Sequence, residues 1–222
     1  MEANIIGATG LVGKQLLKNL LENDKFDKVR IFVRRESGLT HPKLEEQIID
    51  FKDEKTWENN LKGNVLFSAL GTTLKQAGGK KNQYEVDFTF NLNFAKKAKQ
   101  NGIENYVLVS SVGANSKSMI LYSRITGELD DGVSKIGCNS LALVRPASLT
   151  GERENRRLME EISVPVARVI TKFVFKKYRP IHGKTVAQAM INAVLNPNYN
   201  KTIWEADEVF KLAAHQYKKL LK

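Results

Sequence analysis

The stretch ANIIGATGLVGKQLL (residues 3–17) joins a short apolar segment to a helical pattern through three evenly spaced glycines. Gly7, Gly10 and Gly13 give the spacing G-x-x-G-x-x-G, and leucines recur at helical spacing after them. Glycines at such a junction allow a tight turn, close approach of a pyrophosphate to the backbone, and close packing of helix on strand. The stretch therefore predicts a dinucleotide-binding turn, and a glycine-rich turn without a ligand is the alternative.

Strand-like and helix-like segments alternate along the rest of the chain. Predicted strands cover 3–10, 29–35, 45–50, 64–71, 105–113, 140–146 and 202–207, and predicted helices cover 11–23, 83–102 and 207–222. This alternation predicts a parallel sheet covered on both faces, which right-handed crossovers make doubly wound. We predict one α/β Rossmann domain over residues 1–222, with residues 147–184 as a small substrate-side annex. Ligands of such sheets bind outside the carboxyl ends of the strands.

The composition is that of an ordinary globular protein, with 42% hydrophobic and 27% charged residues. No apolar stretch approaches the roughly 20 residues that span a bilayer, and no charged-then-apolar leader precedes the first strand. The single Cys138 excludes an intramolecular disulfide and suits a reducing compartment. These features predict a cytoplasmic protein without membrane insertion.

Basic residues outnumber acidic ones, 35 against 24, which gives a formal net charge of +11. That sign would suit a nucleic acid, an anionic membrane surface or a phosphate-rich ligand. The basic residues are scattered, however, and no arginine–aromatic platform, finger or helix-turn-helix pattern accompanies them. We interpret most of this charge as solvated surface and expect no specific nucleic-acid partner, with a polyanion patch as the alternative.

The end of the second predicted strand separates the two nicotinamide dinucleotides. NAD sites usually carry an acid there, which binds the ribose 2′-hydroxyl. This strand instead ends in Arg34 and Arg35, while Asp27 precedes the strand and would lie at its opposite end. Two guanidinium groups suit a 2′-phosphate through forked, charge-assisted hydrogen bonds. The pair favours NADP over NAD, and two solvent-facing charges are the alternative.

Seven motifs occur in the order that one superfamily shows. They are GATGLVG (7–13), FVRR (32–35), IIDF (48–51), LGTT (70–73), SSVGA (110–114), LYSRITGE (121–128) and VRPASLTGER (144–153). Together they resemble the atypical branch of the short-chain dehydrogenase/reductase superfamily. Within that branch the chain is most similar to the Tat-interactive protein family and its bacterial oxidoreductase-like relatives. The resemblance covers nearly the whole chain, but it does not specify a substrate, because functions diverge widely on this fold.

The resemblance implies a set of cofactor-binding residues that follow NADP(H) from its phosphates to its nicotinamide. They are Gly7, Thr9, Gly10, Leu11, Val12 and Gly13 at the phosphates, Arg34 and Arg35 at the 2′-phosphate, Asp50 and Phe51 beside the adenine, Ala69, Leu70 and Gly71 beside its ribose, and Ser110, Tyr122, Pro146 and Ala147 toward the nicotinamide. The implied catalytic residues are Ser111, which polarises a substrate carbonyl, and Tyr122, which relays a proton. No metal is implied.

Thr126 departs from the family pattern, which has a lysine one helical turn after the tyrosine. In the family that lysine binds the nicotinamide ribose and lowers the pKa of the tyrosine. A tyrosine without such help has a pKa of about 10, so the phenolate needed for alcohol oxidation is scarce at neutral pH. Carbonyl reduction needs the neutral phenol, which stays abundant. We therefore expect weakened catalysis, with oxidation impaired more than reduction.

Two functions from different classes remain open at this point. One is an NADP(H)-dependent oxidoreductase that reduces a small carbonyl-type substrate, and the other is an NADP(H)-binding regulatory or sensor protein without turnover. The histidines at 41, 182 and 215 lack metal or triad spacing. Cys138 lacks an activating charge pattern, and the basic segment 75–81 is predicted as a solvated loop. We expect a monomer or a homodimer.

Overall fold

A computed structural model describes residues 1–150, 179–196 and 202–214 of the 222-residue chain. The strands are β1 Glu2–Ile6, β2 Lys28–Val33, β3 Leu44–Ile48, β4 Val65–Ser68, β5 Asn105–Val109, β6 Ser140–Arg145, β7 Leu149–Thr150, β8 Ile181–His182 and β9 Ile203–Glu205. The α-helices are α1 Leu11–Leu21, α2 Leu74–Ala77, α3 Lys80–Tyr84, α4 Asn91–Gln100, α5 Leu121–Ser134, α6 Gly183–Leu195 and α7 Asp207–Ala214. A π-helical segment, Glu85–Phe90, joins α3 to α4, and 3-10 turns form at Glu54–Thr56 and Glu58–Asn60.

Seven of these strands form one sheet in the order β3-β2-β1-β4-β5-β6-β9, and every described pairing within it is parallel. The strand order reverses at β1, which lies between β2 and β4. All carboxyl ends therefore meet at one edge of the sheet, here called the carboxyl edge, and the opposite edge is the amino edge. The predicted doubly wound Rossmann fold is confirmed.

Successive side chains of a strand face opposite sides of the sheet, and the two faces carry separate cores. Ile5 belongs to the core beneath α1, α6 and α7, whereas its neighbour Ile6 belongs to the core beneath α4 and α5. On the second face, the rings of Trp57 and Phe94 stack with centroids 3.8 Å apart. Both faces are covered, as the near-continuous apolar strands require.

Several elements differ from the sequence expectations. The predicted helix 83–102 is divided between α3, the π-helical segment and α4. The basic segment 75–81, predicted as a loop, lies largely in the short helices α2 and α3 instead. Most of the predicted annex (147–184) and the end of the closing helix lie outside the described residues, so these remain predictions. None of the described helices is long and apolar enough to cross a bilayer.

Candidate functional site

The glycine turn between β1 and α1 packs directly against the loop that follows β4. Gly7 has φ +80°, and a Cβ atom there would lie 2.4 Å from the carbonyl carbon and oxygen of Ala69. A Cβ at Gly13 would lie 2.0 Å from the carbonyl oxygen of Gly7. Neither position has room for a side chain. The close packing expected of a dinucleotide-binding turn is therefore present in the backbone itself.

The first turn of α1 presents bare backbone amides at the carboxyl edge. Gly10 is the N-cap residue, and no side chain caps the helix. No acidic residue occupies the first turn, so nothing there competes with an anion for the positive end of the helix dipole. Thr9 and Gly10 are exposed, whereas Val12 is buried. This cradle fits a pyrophosphate, since its free amides and missing side chains leave a place where phosphate oxygens can approach.

Arg34 and Arg35 directly follow the last residue of β2 and are both exposed at the carboxyl edge. Asp27 precedes β2 and binds the N-terminal ammonium at 2.7 Å. That hydrogen bond and the ammonium charge lower the pKa of Asp27. As predicted from the sequence, Asp27 lies at the amino edge, whereas Arg34 and Arg35 follow the carboxyl end of β2.

Two of the residues expected beside the adenine have different environments. Asp50 is exposed, and its Oδ1 accepts a hydrogen bond of 2.9 Å from the amide of Lys52. Phe51 is buried, and its ring centroid lies 5.4 Å from that of Phe90 and 5.6 Å from that of Phe94. Phe51 therefore belongs largely to the core, while Asp50 is accessible to a ligand.

The loop after β4 is held by two buried polar residues that sequence reasoning missed. Asp87 Oδ1 accepts a 2.7 Å hydrogen bond from the amide of Thr72, and Asn91 Nδ2 donates to the carbonyl of Leu70 at 3.3 Å. Asn91 also donates to the carbonyls of Val86 and Asp87 in the π-helical segment. Burial raises the pKa of Asp87 to about 6. Through these bonds the helical segment positions residues 70–72 beside the glycine turn.

The two serines that end β5 have different partners. Ser110 is buried, and its hydroxyl donates a 2.8 Å hydrogen bond to Asp130 Oδ2. Ser111 is partly exposed, and its hydroxyl lies 3.3 Å from the carbonyl oxygen of Val112. The amide of Val112 donates to the carbonyl of Pro146, which joins the ends of β5 and β6. Ser111 is thus the serine of this pair that solvent or a substrate can reach.

Tyr122 lies in the first turn of α5 with 46% of its surface exposed. Thr126 lies one turn further along and is buried. Its hydroxyl is 3.0 Å from the carbonyl oxygen of Tyr122 and 3.2 Å from that of Ser123. The only proton of that hydroxyl is therefore engaged by the helix backbone, so Thr126 does not reproduce a lysine that reaches toward a ribose.

The loop between Ser111 and Tyr122 is fastened to α5. The amide of Asn115 donates to the carbonyl of Ser123 at 2.9 Å, and Arg124 Nη1 donates to the carbonyl of Ser118 at 3.1 Å. A Cβ at Gly127 would lie 2.2–2.5 Å from backbone atoms of Asn115 and Ser116, so loop and helix touch directly. These contacts bring the end of β5, with its serines, together with the start of α5.

Other sequence candidates have local roles. His41 and His182 each accept a hydrogen bond of 3.1 Å from the backbone amide two residues later, and His215 lies outside the described residues. Burial raises the pKa of the Cys138 thiol. Pro146 is buried and Ala147 is partly exposed at the end of β6. Within the described ranges, no group of three or more His, Cys, Asp or Glu side chains is arranged to hold a metal ion.

A glycine cradle, an uncapped helix and the ends of parallel strands thus meet at the carboxyl edge. A family described as NAD(P)H-binding matches residues 7–197, which is most of the chain. The chain belongs to this NAD(P)H-binding family. The match begins at the first glycine of the turn and, with the fold, makes the chain an NAD(P)H-binding Rossmann protein.

Curated relatives in fungi are similar over most of the chain. Protein FMP52-1, mitochondrial, of Scheffersomyces stipitis is 36% identical over 201 residues, which cover 87% of this chain and 88% of the relative. Protein FMP52, mitochondrial, of Eremothecium gossypii is 30% identical over 223 residues, covering 97% and 99%. These relatives are FMP52 proteins, so the expected similarity to the Tat-interactive protein family in particular is not confirmed.

The names of these relatives also contradict the predicted cytoplasmic location. Five FMP52 relatives that each align with at least 87% of this chain are named mitochondrial. The prediction was wrong because a single cysteine and an ordinary composition indicate only a reducing compartment. They do not distinguish between the compartments of a cell that keep thiols reduced.

Solved structures confirm the fold. UDP-glucose 4-epimerase of Thermotoga maritima matches with a TM-score of 0.67 at 13% identity, covering 96% of this chain and 81% of that one. MoeE5, solved with UDP-glucose and NAD, matches with a TM-score of 0.69 at 14% identity over the same shares. Identities this low establish a common fold without a common substrate.

Proposed function

We propose that this protein is an NADP(H)-dependent reductase of a small carbonyl-type substrate whose catalysis is weakened by Thr126. One observation carries the proposal: the glycine cradle and the exposed Arg34 and Arg35 lie at the edge where Ser111 and Tyr122 are joined through a fastened loop. A dinucleotide bound to the glycine cradle and a substrate bound near Ser111 and Tyr122 would lie next to each other at this edge.

Each part of the edge suits one task. The amides at the start of α1 would bind the pyrophosphate, and Arg34 with Arg35 would bind the 2′-phosphate. The hydroxyl of Ser111 would donate a hydrogen bond to the substrate carbonyl oxygen, and the phenol of Tyr122 would donate a proton to it. A bound NADPH supplies the hydride. Thr126 brings no positive charge to Tyr122, so slow reduction is expected.

The test of this function is NADPH consumption with a panel of aldehydes, ketones and quinones. We expect turnover with at least one class and its loss in Tyr122→Phe, because phenylalanine keeps the ring but has no proton to donate. Tyr84→Phe is the matched control, since Tyr84 is also a partly exposed tyrosine but lies on α3. Equal rates for Tyr122→Phe and the wild-type chain would contradict the role of Tyr122.

A second function is favoured by the hydrogen bonds of Thr126. Because its hydroxyl donates to its own helix, the chain could keep the cofactor pocket and lack turnover, as a sensor of NADP(H) would. Tight NADPH binding, no turnover on the whole panel, and unchanged binding in Tyr122→Phe would support this function. In contrast, a rate increase in Thr126→Lys would identify the missing lysine as the limiting defect of a reductase.

We also propose a mitochondrial location, supported by the names of the FMP52 relatives. A fluorescent fusion at the carboxyl terminus of the full chain, followed by fractionation, would test it. We expect the fusion in the mitochondrial fraction, and a fusion that stays in the cytosol would contradict the location.

A further inference from the structure

A buried carboxylate joins three elements at the carboxyl edge. Asp130 on α5 is 3% exposed, and its Oδ2 accepts hydrogen bonds from Ser110 Oγ at 2.8 Å and from Arg145 Nε at 2.9 Å. Arg145 Nη2 also lies 2.9 Å from this oxygen and completes an ion pair. Ser110 follows β5 and Arg145 ends β6. One oxygen atom therefore connects α5 with the carboxyl ends of two neighbouring strands.

Each of these elements carries a residue of the proposed site. Tyr122 precedes Asp130 by eight residues, which places both on one side of α5. Ser111 is the neighbour of Ser110, and Pro146 is the neighbour of Arg145. A change in the bonds of Asp130 would consequently alter how the proton donor, the carbonyl-binding serine and the nicotinamide-side proline lie relative to one another.

The cluster is costly to bury, which makes a purely stabilising role a poor explanation. Asp130 Oδ1 is buried and has no hydrogen-bond partner among the residues that the structure describes. Burial raises the pKa of this carboxyl against the opposing effects of Ser110 and Arg145. Arg145 has a second carboxylate, Glu205, 3.7 Å away. Replacing a buried ion pair by apolar residues is often neutral or stabilising. Such a cluster fixes geometry more effectively than it adds stability.

We propose that Asp130 is a positioning residue of the site: through Ser110 and Arg145 it fixes Ser111, Tyr122 and Pro146 in the arrangement that reduction requires. It acts on these residues and not on the substrate. The inference rests on the proposed reductase function. It extends that function to a residue outside the substrate's reach, one helical turn beyond Thr126.

A second cluster, built around the buried Arg30, provides a control at the amino edge. Arg30 is also 3% exposed, and its guanidinium binds Glu2 Oε2 at 2.8 Å and Glu45 Oε2 at 2.6 Å. It also donates to the carbonyl of Lys62 at 2.8 Å. No candidate site residue adjoins this cluster. Asp130→Asn and Glu45→Gln therefore make the same chemical change at opposite edges of the sheet.

The experiment compares these two variants of the full chain on the carbonyl compound that the wild-type chain reduces fastest. Because small displacements of reacting groups cost rate steeply, Asp130→Asn is expected to lower kcat about tenfold or more. Glu45→Gln should leave kcat unchanged, even if its melting temperature falls as much as that of Asp130→Asn. An unchanged kcat in Asp130→Asn, or an equal loss in Glu45→Gln, overturns the proposal. Should Asp130→Asn fail to fold, Ser110→Ala removes the hydrogen bond between Ser110 and Asp130 and is expected to lower kcat several-fold.

Binding distinguishes failure of this inference from failure of the reductase function. The probes are NADPH and 2′-phospho-ADP-ribose, which lacks the nicotinamide half. We expect Asp130→Asn to weaken the binding of NADPH and to leave the binding of 2′-phospho-ADP-ribose unchanged. The reason is that only the nicotinamide half would reach Tyr122 and Pro146. If the wild-type chain reduces nothing, the reductase function fails, and this pair of affinities still decides the positioning role. Equal changes for both probes, or none for either, overturn it.

Discussion

Each of the two edges of the sheet holds an arginine–carboxylate cluster with one buried member, Arg30 at the amino edge and Asp130 at the carboxyl edge, and the clusters differ in their surroundings. At the amino edge, Arg30 forms ion pairs with Glu2 of β1 and Glu45 of β3, and these residues belong to strands of the sheet rather than to the candidate site. At the carboxyl edge, Arg145 joins Asp130 and approaches Glu205, and its neighbours are candidate site residues. A buried ion pair alone is thus no sign of function. What distinguishes the carboxyl edge is that it also carries a glycine cradle, bare helix amides and partly or fully exposed serine, tyrosine and arginine side chains.

The largest expected effect contrasts one glycine at each edge. In Gly13→Ala the new methyl group would lie 2.0 Å from the Gly7 carbonyl oxygen, and the turn must open to admit it. We expect a loss of about 3 kcal/mol or more in the free energy of unfolding, together with loss of NADPH binding. Denaturant titration and calorimetric NADPH titration would measure the two effects.

Gly63→Ala is the control at the amino edge. Gly63 has φ +118°, and a Cβ there would lie 2.8 Å from Glu2 Cβ, so alanine is strained as well. We expect a loss of about 1–3 kcal/mol with NADPH affinity retained in the folded protein. Loss of NADPH affinity in folded Gly63→Ala would show that the two edges are not separable.

The next effect concerns pH, because one carboxyl at each edge has a shifted pKa of opposite sign. Burial raises the pKa of Asp87 from 3.8 to about 6, so the folded state takes up a proton before the unfolded chain does. Its contribution to stability therefore falls as pH rises from about 4 to 6. Asp87→Asn removes this dependence. As pH rises from 4 to 7, the free energy of unfolding of the variant should therefore increase by roughly 2–3 kcal/mol relative to that of the wild-type chain.

Glu45 should behave in the opposite way. A hydrogen bond from Lys28 and the nearby charge of Arg30 lower the pKa of Glu45 below 4.5. Its contribution is present above pH 4.5 and is lost as pH falls through the lowered pKa. In Glu45→Gln the free energy of unfolding should therefore depend less on pH below about pH 4.5. Urea unfolding across the pH range would measure both effects. If Asp87→Asn and Glu45→Gln changed the pH dependence of the free energy of unfolding in the same direction, the opposite pKa shifts of Asp87 and Glu45 would be contradicted.

The smallest expected effect concerns the cofactor's 2′-phosphate. Arg34→Ala and Arg35→Ala should each weaken the affinity for NADPH about tenfold and change the affinity for NADH little. Each variant would remove a charge-assisted contact to the 2′-phosphate, which NADH lacks. Lys62→Ala makes the same change of charge at the amino edge, where Lys62 is exposed. Equal losses for NADPH and NADH in the arginine variants would remove the preference for NADP.

The parts of the fold that local patterns determine were predictable from the sequence. The glycine spacing located the turn, and apolar runs located all seven strands of the sheet. The π-helical segment was not predictable, because π-helical turns are rare and occur inside otherwise α-helical segments such as 83–102. Helix α6 was also missed, and it contains the buried alanines 187 and 189 among its apolar residues, a pattern weaker than that of α1.

The site shows a similar division. Arg34, Arg35 and Tyr122 are exposed at the carboxyl edge, as a family motif can indicate. Asp87 and Asp130 were missed because their partners, Thr72 and Arg145, are 15 residues away in sequence, and only packing brings them into contact. A signal did exist for Asp87, which lies between Val86 and Phe88 in a predicted helix, where an unpaired charge would be costly.

The most direct test of the central claim is a calorimetric titration of NADPH into the wild-type chain and into Gly10→Ala. Gly10 is exposed, and a Cβ there would lie 3.3 Å from the Gly7 carbonyl oxygen, so the variant should fold with a loss of only about 1 kcal/mol. The methyl group would nevertheless occupy the space through which a pyrophosphate reaches the amides of α1. We predict saturable NADPH binding to the wild-type chain, tighter than that of NADH, and its loss in the folded variant. Equal NADPH affinity in the two chains, or none in the wild-type chain, would contradict a dinucleotide bound at the carboxyl edge.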